Sequence, residues 1–275
     1  MSASVELQIA VSEKLYSAVE AGNFNEVETL LKSASADEVN HRHKIGRSAL
    51  LAAAENGYSE IVKALLAQPS VDVNLQDDDG ATALMWAANR GHKEIVKMLL
   101  NQANIDVSSL KTKAGWVALM WAANGGHAEV VSLLLGHPNI ELNTQDSVNG
   151  YSALMVAAQK GHLEVVNLLL ADPRLQVNQV DREEWTALMV ATNSHQAEIV
   201  AALLAHPKIN VNAASEVGNT ALMSAALHNN VEIVQLLLAA PEIDVLVRNR
   251  NGKSALELAT KEHIKALISA LSANK

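Results

Sequence analysis

The sequence has no cysteine, few aromatic residues and no excess of positive charge. Its 275 residues include one phenylalanine and five prolines, and the formal net charge is −9. The lack of cysteine excludes disulfides, cysteine-ligated zinc and thiol catalysis. The negative charge argues against a general nucleic-acid binder or a protein that adheres to anionic membranes. No apolar run approaches the roughly 18 residues that a membrane-spanning helix needs, so membrane insertion is not expected.

The N-terminal segment also lacks the basic and apolar regions of a secretory signal. A cytoplasmic location is therefore expected, and export by a signal-independent route stays open as an alternative.

The sequence is rich in copies of one segment. Residues 80–100 read GATALMWAANRGHKEIVKMLL, and related copies recur every 34 or 35 residues. The leucine that follows alanine in the first half of each copy marks the phase, at Leu50, Leu84, Leu119, Leu154, Leu188, Leu222 and Leu256. A fixed period of this length indicates stacked repeats. Apolar residues follow helical spacing in both halves of each copy, so one unit is predicted to be two short antiparallel helices and a connecting finger.

The repeated segment resembles the ankyrin repeat over about residues 13 to 271. The resemblance rests on Thr82-Ala83-Leu84-Met85, Ala87-Ala88, Gly91-His92, Glu94-Ile95-Val96 and Leu99-Leu100, with Asp72-Val73-Asn74 as the end of the motif. Methionine or leucine replaces the family's first histidine, and a longer link lengthens the family period of about 33 residues. The resemblance implies an all-α ankyrin-repeat solenoid of stacked helix-turn-helix units with β-hairpin-like fingers.

The repeats predict one domain, because a solenoid grows by stacking and does not split with length. A flexible N-terminus is expected at residues 1–10, followed by a single ankyrin-repeat domain at 11–275. Its parts are an N-terminal cap at 11–42, full repeats beginning near 43, 77, 112, 147, 181 and 215, and a C-terminal cap at 249–275. Counted with the caps these are repeats one to eight.

Small polar residues and glycines mark the predicted ends of the helices. Hydroxyl residues are expected to cap six of the first helices, at Ser48, Thr82, Ser152, Thr186, Thr220 and Ser254. Recurring asparagines are interpreted as turn residues at Asn40, Asn74, Asn143, Asn178 and Asn212. In repeats six and seven, Glu184, His195 and Asn229 replace turn glycines. If these positions need positive φ, each replacement costs roughly 1–2 kcal/mol, less for asparagine, so these two repeats are predicted to open before repeats three to five.

The histidines and aspartates do not predict a metal or catalytic site. His92, His127 and His162 occupy one phase of successive repeats, and helices about 8–10 Å apart cannot bring them onto one ion. His41 and His43 are close in sequence but show no obvious acidic or histidine partner. The run at 77–80 resembles part of a calcium loop but lacks the required later glutamate. No catalytic residue, metal or cofactor is therefore expected, although a metal-dependent or hydrolytic enzyme remains a remote alternative.

The resemblance implies that a partner binds the finger tips and the groove-facing side of the first helices. The residues at these positions in repeats three to six are Asp78, Asp79, Trp86, Asn89, Arg90, Trp116, Trp121, Asn124, Tyr151, Gln159, Lys160, Arg182 and Trp185. They include all four tryptophans, and tryptophan, tyrosine and arginine are enriched at binding hot spots. Trp86 and Trp121 are one repeat apart and are expected roughly 10 Å apart. The alternative is that the aromatics only pack between repeats.

The sequence thus predicts a non-catalytic protein–protein interaction module, an adaptor, inhibitor or scaffold, that binds through the concave surface and finger tips of repeats three to six. The expected partner is another protein, with no nucleic acid, and the chain is expected to be a monomer. An effector-type ankyrin protein that acts on a host's proteins is the alternative. Asn74 and Asn178 also resemble sites of asparaginyl hydroxylation in ankyrin proteins, although Gln176 departs from that motif.

Overall fold

The structure is a computed structural model that describes the backbone of residues 3–272 and the side chains of residues 11–271. Within these residues the regular structure is helical, apart from isolated β-bridges. The chain divides into two compact units, Met1–Glu141 and Leu142–Lys275. No helix in the described part of the chain is long and apolar enough to span a membrane.

The first unit contains the N-terminal cap and repeats two to four. Its helices are α1 (Ala3–Glu20), α2 (Phe24–Leu31), α3 (Ala36–Val39), α4 (Ala49–Asn56), α5 (Ser59–Leu66), α6 (Ala83–Arg90), α7 (Lys93–Leu100), α8 (Ala118–Gly125) and α9 (Ala128–Leu135). A short 3₁₀ turn occupies Lys44–Gly46. The first helices α1, α4, α6 and α8 pack in series, and so do the second helices α2, α5, α7 and α9.

The second unit contains repeats five to seven and the C-terminal cap. Its helices are α10 (Ala153–Lys160), α11 (Leu163–Leu170), α12 (Ala187–Asn193), α13 (Ala197–Leu204), α14 (Ala221–Leu227), α15 (Val231–Leu238), α16 (Ala255–Leu258) and α17 (Glu262–Ser272). The first helices of these repeats pack on one another, as do the second helices. The predicted all-α fold class of stacked helix-turn-helix units is confirmed.

Repeat three shows why the sequence folds in this way. In α6, Ala87 and Ala88 are fully buried, and their small side chains let the neighbouring first helices approach closely. In α7, Ile95, Val96 and Leu99 are fully buried and follow the spacing of one helix face. The fingers carry only isolated bridges, at Gln76↔Thr82, Gln145↔Ser152 and Val180↔Thr186.

The predicted helix caps and strained turns are present. The Thr82 hydroxyl accepts a hydrogen bond from the Met85 N–H at 3.3 Å, and the other five predicted caps do the same. Positive φ occurs at Glu184 (61°), His195 (58°) and Asn229 (57°), so these positions do require the left-handed conformation. The sequence did not indicate the same conformation at Ile45, where φ is 57°.

The glycine-histidine pairs join one repeat to the next. His127 Nε2 lies 2.9 Å from the backbone oxygen of Asn89, and His92 Nε2 lies 3.0 Å from that of Glu55. A Cβ on Gly91 would lie 2.5 Å from His127 Nδ1, so glycine is needed for room as well as for its φ of 73°. These histidines therefore bind the end of the preceding first helix.

The recurring asparagines also bridge neighbouring repeats, a larger role than the turn chemistry expected from the sequence. Asn178 Nδ2 donates to the Lys208 oxygen at 2.6 Å, and its Oδ1 accepts from the Asn210 N–H at 2.8 Å. The same double bridge forms at Asn40, Asn74, Asn143 and Asn212. At the end of repeat three, Ser108 takes this place, and its hydroxyl accepts the Glu141 N–H at 2.9 Å.

The proposed flexible segment at residues 1–10 includes Met1 and Ser2, which lie outside the described residues. The backbone from Ala3 onward belongs to α1. The flexibility of this segment and the repeat boundaries stay predictions.

The asparagine bridge should make a measurable contribution to stability. Asn178→Ala removes two hydrogen bonds, so we expect urea denaturation to show a loss of about 1–3 kcal/mol in the free energy of unfolding. Asn178→Asp keeps the acceptor but places an oxygen opposite the Lys208 carbonyl, and should therefore also destabilise. An unchanged denaturation curve for both variants would show that solvent replaces the bridge without cost.

Glu184→Gly should stabilise the chain. Glycine relieves roughly 1–2 kcal/mol of left-handed strain, and its larger backbone entropy offsets part of this, leaving about 0.5–1 kcal/mol. Urea denaturation measures the difference. Glu183→Gly is the matched control, because Glu183 does not have positive φ and glycine there should destabilise. Equal effects of the two substitutions would contradict the strain argument.

Candidate partner-binding surface

Three tryptophans of the first unit form one cluster on α6, α8 and the finger before α8. The ring centroids are 5.8 Å apart for Trp86 and Trp121, and 5.4 Å apart for Trp116 and Trp121. The expected separation of roughly 10 Å was wrong. It was taken from the distance between helix axes, whereas the two long side chains extend toward each other and bring their rings closer than the axes. All three are half-buried, so part of each indole faces solvent. We call Trp86, Trp116 and Trp121 the tryptophan cluster.

Trp86 is held in place by its neighbours. Its indole N–H donates to Asp77 Oδ2 at 2.9 Å, and the guanidinium carbon of Arg47 lies 4.8 Å from the ring centroid. Asp77 is 7 % exposed, and its other oxygen accepts the N–H groups of Asp79 and Ala81. Asp77 is therefore a structural turn residue, and both of its carboxylate oxygens already accept hydrogen bonds.

Trp121 differs from Trp86 in the surroundings of its N–H. Its Nε1 is buried and has no hydrogen-bond partner among the described residues. A buried donor without an acceptor costs about 1–3 kcal/mol. Within the described residues no hydrogen bond from its Nε1 positions the Trp121 ring, which packs against the rings of both Trp86 and Trp116.

A half-buried carboxylate links two arginines beside the tryptophan cluster. The Glu55 side chain is 12 % exposed; one oxygen pairs with Arg47 Nη1 and the other lies 2.9 Å from Arg90 Nη2. Arg90 stays about half exposed, at 52 %. Since Arg47 also stacks on Trp86, the charged residues and the aromatic rings form one connected surface.

The finger tips of the first unit carry paired charges. Arg42 Nη2 lies 3.0 Å from Asp78 Oδ1, and Lys113 Nζ lies 4.0 Å from Asp79 Oδ1. These groups are largely exposed, so the ion pairs add little stability. The predicted residues Asn89 and Asn124 lie half-buried at the end of α6 and α8. The backbone oxygen of Asn89 is already engaged by His127.

The remaining predicted residues lie in the second unit. Tyr151 and Trp185 are half-buried, and both follow a finger aspartate that accepts their backbone N–H groups, Asp146 at 3.1 Å and Asp181 at 2.8 Å. Burial raises the pKa of the Tyr151 hydroxyl, and nearby carboxylates raise it further. Arg182 is exposed and contacts the Ser147 oxygen.

Gln159 and Lys160 lie exposed at the end of α10, also in the second unit. Both side chains are therefore accessible at the two positions before the break glycine, where the sequence predicted a partner contact.

Sequence reasoning missed the residues that support the tryptophan cluster. Arg47 follows the turn Gly46 as Trp116 follows Gly115, and Glu55 lies two residues before the break Gly57 as Asn89 lies two before Gly91. The repeat phase could therefore have identified both. Their pairing depends on side-chain direction, which phase alone does not give.

A second correction concerns His41 and His43. The structure brings Glu13 of α1 to them, with Glu13 Oε1 3.4 Å from His43 Nδ1, although no acidic partner was obvious in the sequence. Glu13 is about 30 residues away along the chain, so local spacing could not show this contact. Burial lowers the pKa of the His43 imidazole, and Glu13 opposes that shift.

Comparison with protein families matches the family model described as "Ankyrin repeats (3 copies)" to residues 15–111, 52–146, 106–181, 171–249 and 214–275. The matches cover almost the whole chain, which belongs to the ankyrin repeat family. No curated protein matches significantly. Among solved structures, the human ASB11 ankyrin repeat domain is 29 % identical in sequence, with a TM-score of 0.69 over 82 % of this chain and 98 % of that one.

The two helix tryptophans permit a matched test of the Asp77 contact. Trp86→Phe and Trp121→Phe remove the same ring atoms, but only the first removes a hydrogen bond, and it leaves an oxygen of buried Asp77 short of a partner. Trp86→Phe should therefore destabilise the chain by about 1–3 kcal/mol more than Trp121→Phe. Urea denaturation of both variants measures the difference; equal losses would contradict the role given to the indole N–H.

Proposed function

We propose that the chain is a non-catalytic interaction module that binds a partner protein through the groove-facing and finger-tip residues of repeats three to six. The ankyrin repeat family is a family of protein-interaction modules, and this supports the general class. The tryptophan cluster carries the specific proposal, because it places three half-buried indoles on the first helices and finger. In this proposal the protein acts as an adaptor, inhibitor or scaffold in the cytoplasm, as a monomer and without a cofactor.

The cluster has the physical properties of a binding hot spot. Its rings are positioned before binding by Asp77 and Arg47 and by one another, so little side-chain entropy is lost when a partner arrives. Half-burial leaves apolar area that a partner can cover, and charged residues such as Arg90 and Asp78 supply a polar rim. The surface thus favours a partner that contributes an apolar or aromatic side chain to the cluster and polar groups around it.

The second unit supplies a separate group of candidate contacts on repeats five and six. Tyr151 and Trp185 are half-buried, and Arg182, Gln159 and Lys160 are exposed. We propose that they contact the same partner. Their contribution to the binding affinity is measured with the second-unit variant Trp185→Ala, separately from the first-unit variants.

The test needs a partner, which affinity capture with the 275-residue chain can supply. The dissociation constant is then measured for the wild type, Trp116→Ala, Arg90→Ala and Trp185→Ala. Loss of a central aromatic contact should weaken binding at least tenfold, equivalent to about 1.4 kcal/mol or more. Each variant's unfolding curve is measured in parallel, so that affinity refers to the folded fraction.

Lys97→Ala is the matched control, since Lys97 is exposed on the second helix α7, away from the first-helix residues of the cluster. It should bind as the wild type does. If Trp116→Ala and Trp185→Ala lower stability but leave the affinity of the folded chain intact, the aromatics are packing residues and the proposed surface is wrong.

A further inference from the structure

Three potential metal ligands meet at the N-terminal cap, in a place that the proposed protein-binding surface does not use. Glu13 comes from α1, and His41 and His43 come from the segment before α4. One ligand atom from each lies within 4.8 Å of those of the other two. Glu13 is about 30 positions from the two histidines in the chain, so only the fold brings it to them.

The orientation of His43 makes one ring nitrogen available. His43 Nε2 lies 3.1 Å from the backbone oxygen of Ser12, and a carbonyl oxygen can only accept, so Nε2 carries a proton. In the neutral ring Nδ1 then carries the lone pair, and it faces Glu13 Oε1 at 3.4 Å. Two acceptors face each other at this point, which favours a cation between them.

The ring is fixed as metal-bound imidazoles usually are. A ligating histidine almost always donates its other N–H to a carboxylate, a backbone carbonyl or water, as His43 does to Ser12. Its side chain is only 5 % exposed, and the ring stacks on Tyr16 with centroids 4.2 Å apart. The His41 ring lies against it edge-on, at 4.7 Å. His41 makes no hydrogen bond to any described residue, so both of its nitrogens remain available.

We propose that Glu13, His41 and His43 form a binding site for one zinc ion or a similar late transition-metal dication. Zinc binds imidazole nitrogen and carboxylate oxygen at about 2.0–2.2 Å, which puts neighbouring tetrahedral ligands about 3.4 Å apart. The His43–Glu13 separation of 3.4 Å already meets this spacing. Glu13 is 60 % exposed, so its side chain can turn to complete the set with His41. Two imidazoles favour zinc over magnesium or calcium, which prefer oxygen ligands.

Such an ion would bind α1 to the segment that leads into repeat two. The terminal repeat of a solenoid contacts only one neighbour, so a link at this place acts on the least supported end of the stack. Bound zinc would thus stabilise the folded chain by an amount that increases with the logarithm of the free zinc concentration above the dissociation constant.

The test uses the 275-residue chain without a histidine tag, stripped of metal by a chelator and titrated with zinc chloride. Calorimetry should show one zinc per chain, and the melting temperature should rise by several degrees at saturation. Loss of an outer-shell partner alone weakens metal sites about 10–100-fold. Glu13→Gln and His41→Ala, which remove ligands, should therefore weaken zinc binding at least tenfold.

His228→Ala is the control, because His195 and His228 form another pair of adjacent imidazoles, with ring centroids 5.6 Å apart, in the second unit. It should bind zinc as the wild type does. Glu13→Gln is nearly isosteric at an exposed position, so it remains informative if His41→Ala does not fold. The proposal is overturned if the wild type does not bind zinc, if Glu13→Gln binds it equally well, or if His228→Ala abolishes binding. In those cases Glu13 and His43 form an ordinary ion pair.

Discussion

The close approach of successive first helices is the constraint on which the rest of each unit depends. Fully buried alanines such as Ala87 and Ala88 remove the side-chain bulk that would hold the helices apart. Glycine at the break then leaves room for the histidine of the next repeat, whose ring nitrogen reaches the backbone oxygen at the helix end. A larger residue at either place would separate two repeats and break the hydrogen bond that joins them.

Two further links reinforce this packing. Neighbouring finger tips share a backbone hydrogen bond, such as that from the Lys113 N–H to the Asp79 oxygen at 2.8 Å, and the asparagine bridges join the loops after the second helices. These hydrogen bonds end on backbone groups of the neighbouring repeat, so they form whatever side chains those residues carry. The side chains at the groove-facing positions can therefore vary, and residues such as the tryptophans can occupy them.

The tryptophan cluster shows how such positions acquire a defined geometry. Asp77 serves both the finger turn and the indole of Trp86, so the turn that forms the finger also orients the aromatic ring. Glu55 plays a similar part, since it fixes Arg47 over that ring while Arg90 keeps half of its surface exposed. A surface built in this way is rigid because its polar supports are part of the repeat itself.

The sequence by itself determined the helix pairs, their period, the hydroxyl caps and most of the turns that require positive φ, with Ile45 as the exception. These features follow from local chemistry and repetition, so the interpretation of one repeat predicts the structure of the others. Glu184 is recognisable as an exception because glycine occupies the equivalent position of the adjacent repeats. Only the tertiary structure decided which side chains meet. It brought Trp86 within 5.8 Å of Trp121, gave the asparagines partners in the next repeat, and placed Glu13 beside His43. The physical reason is that such contacts depend on side-chain direction and on chain segments 30 or more residues apart, and neither is encoded in the repeat period.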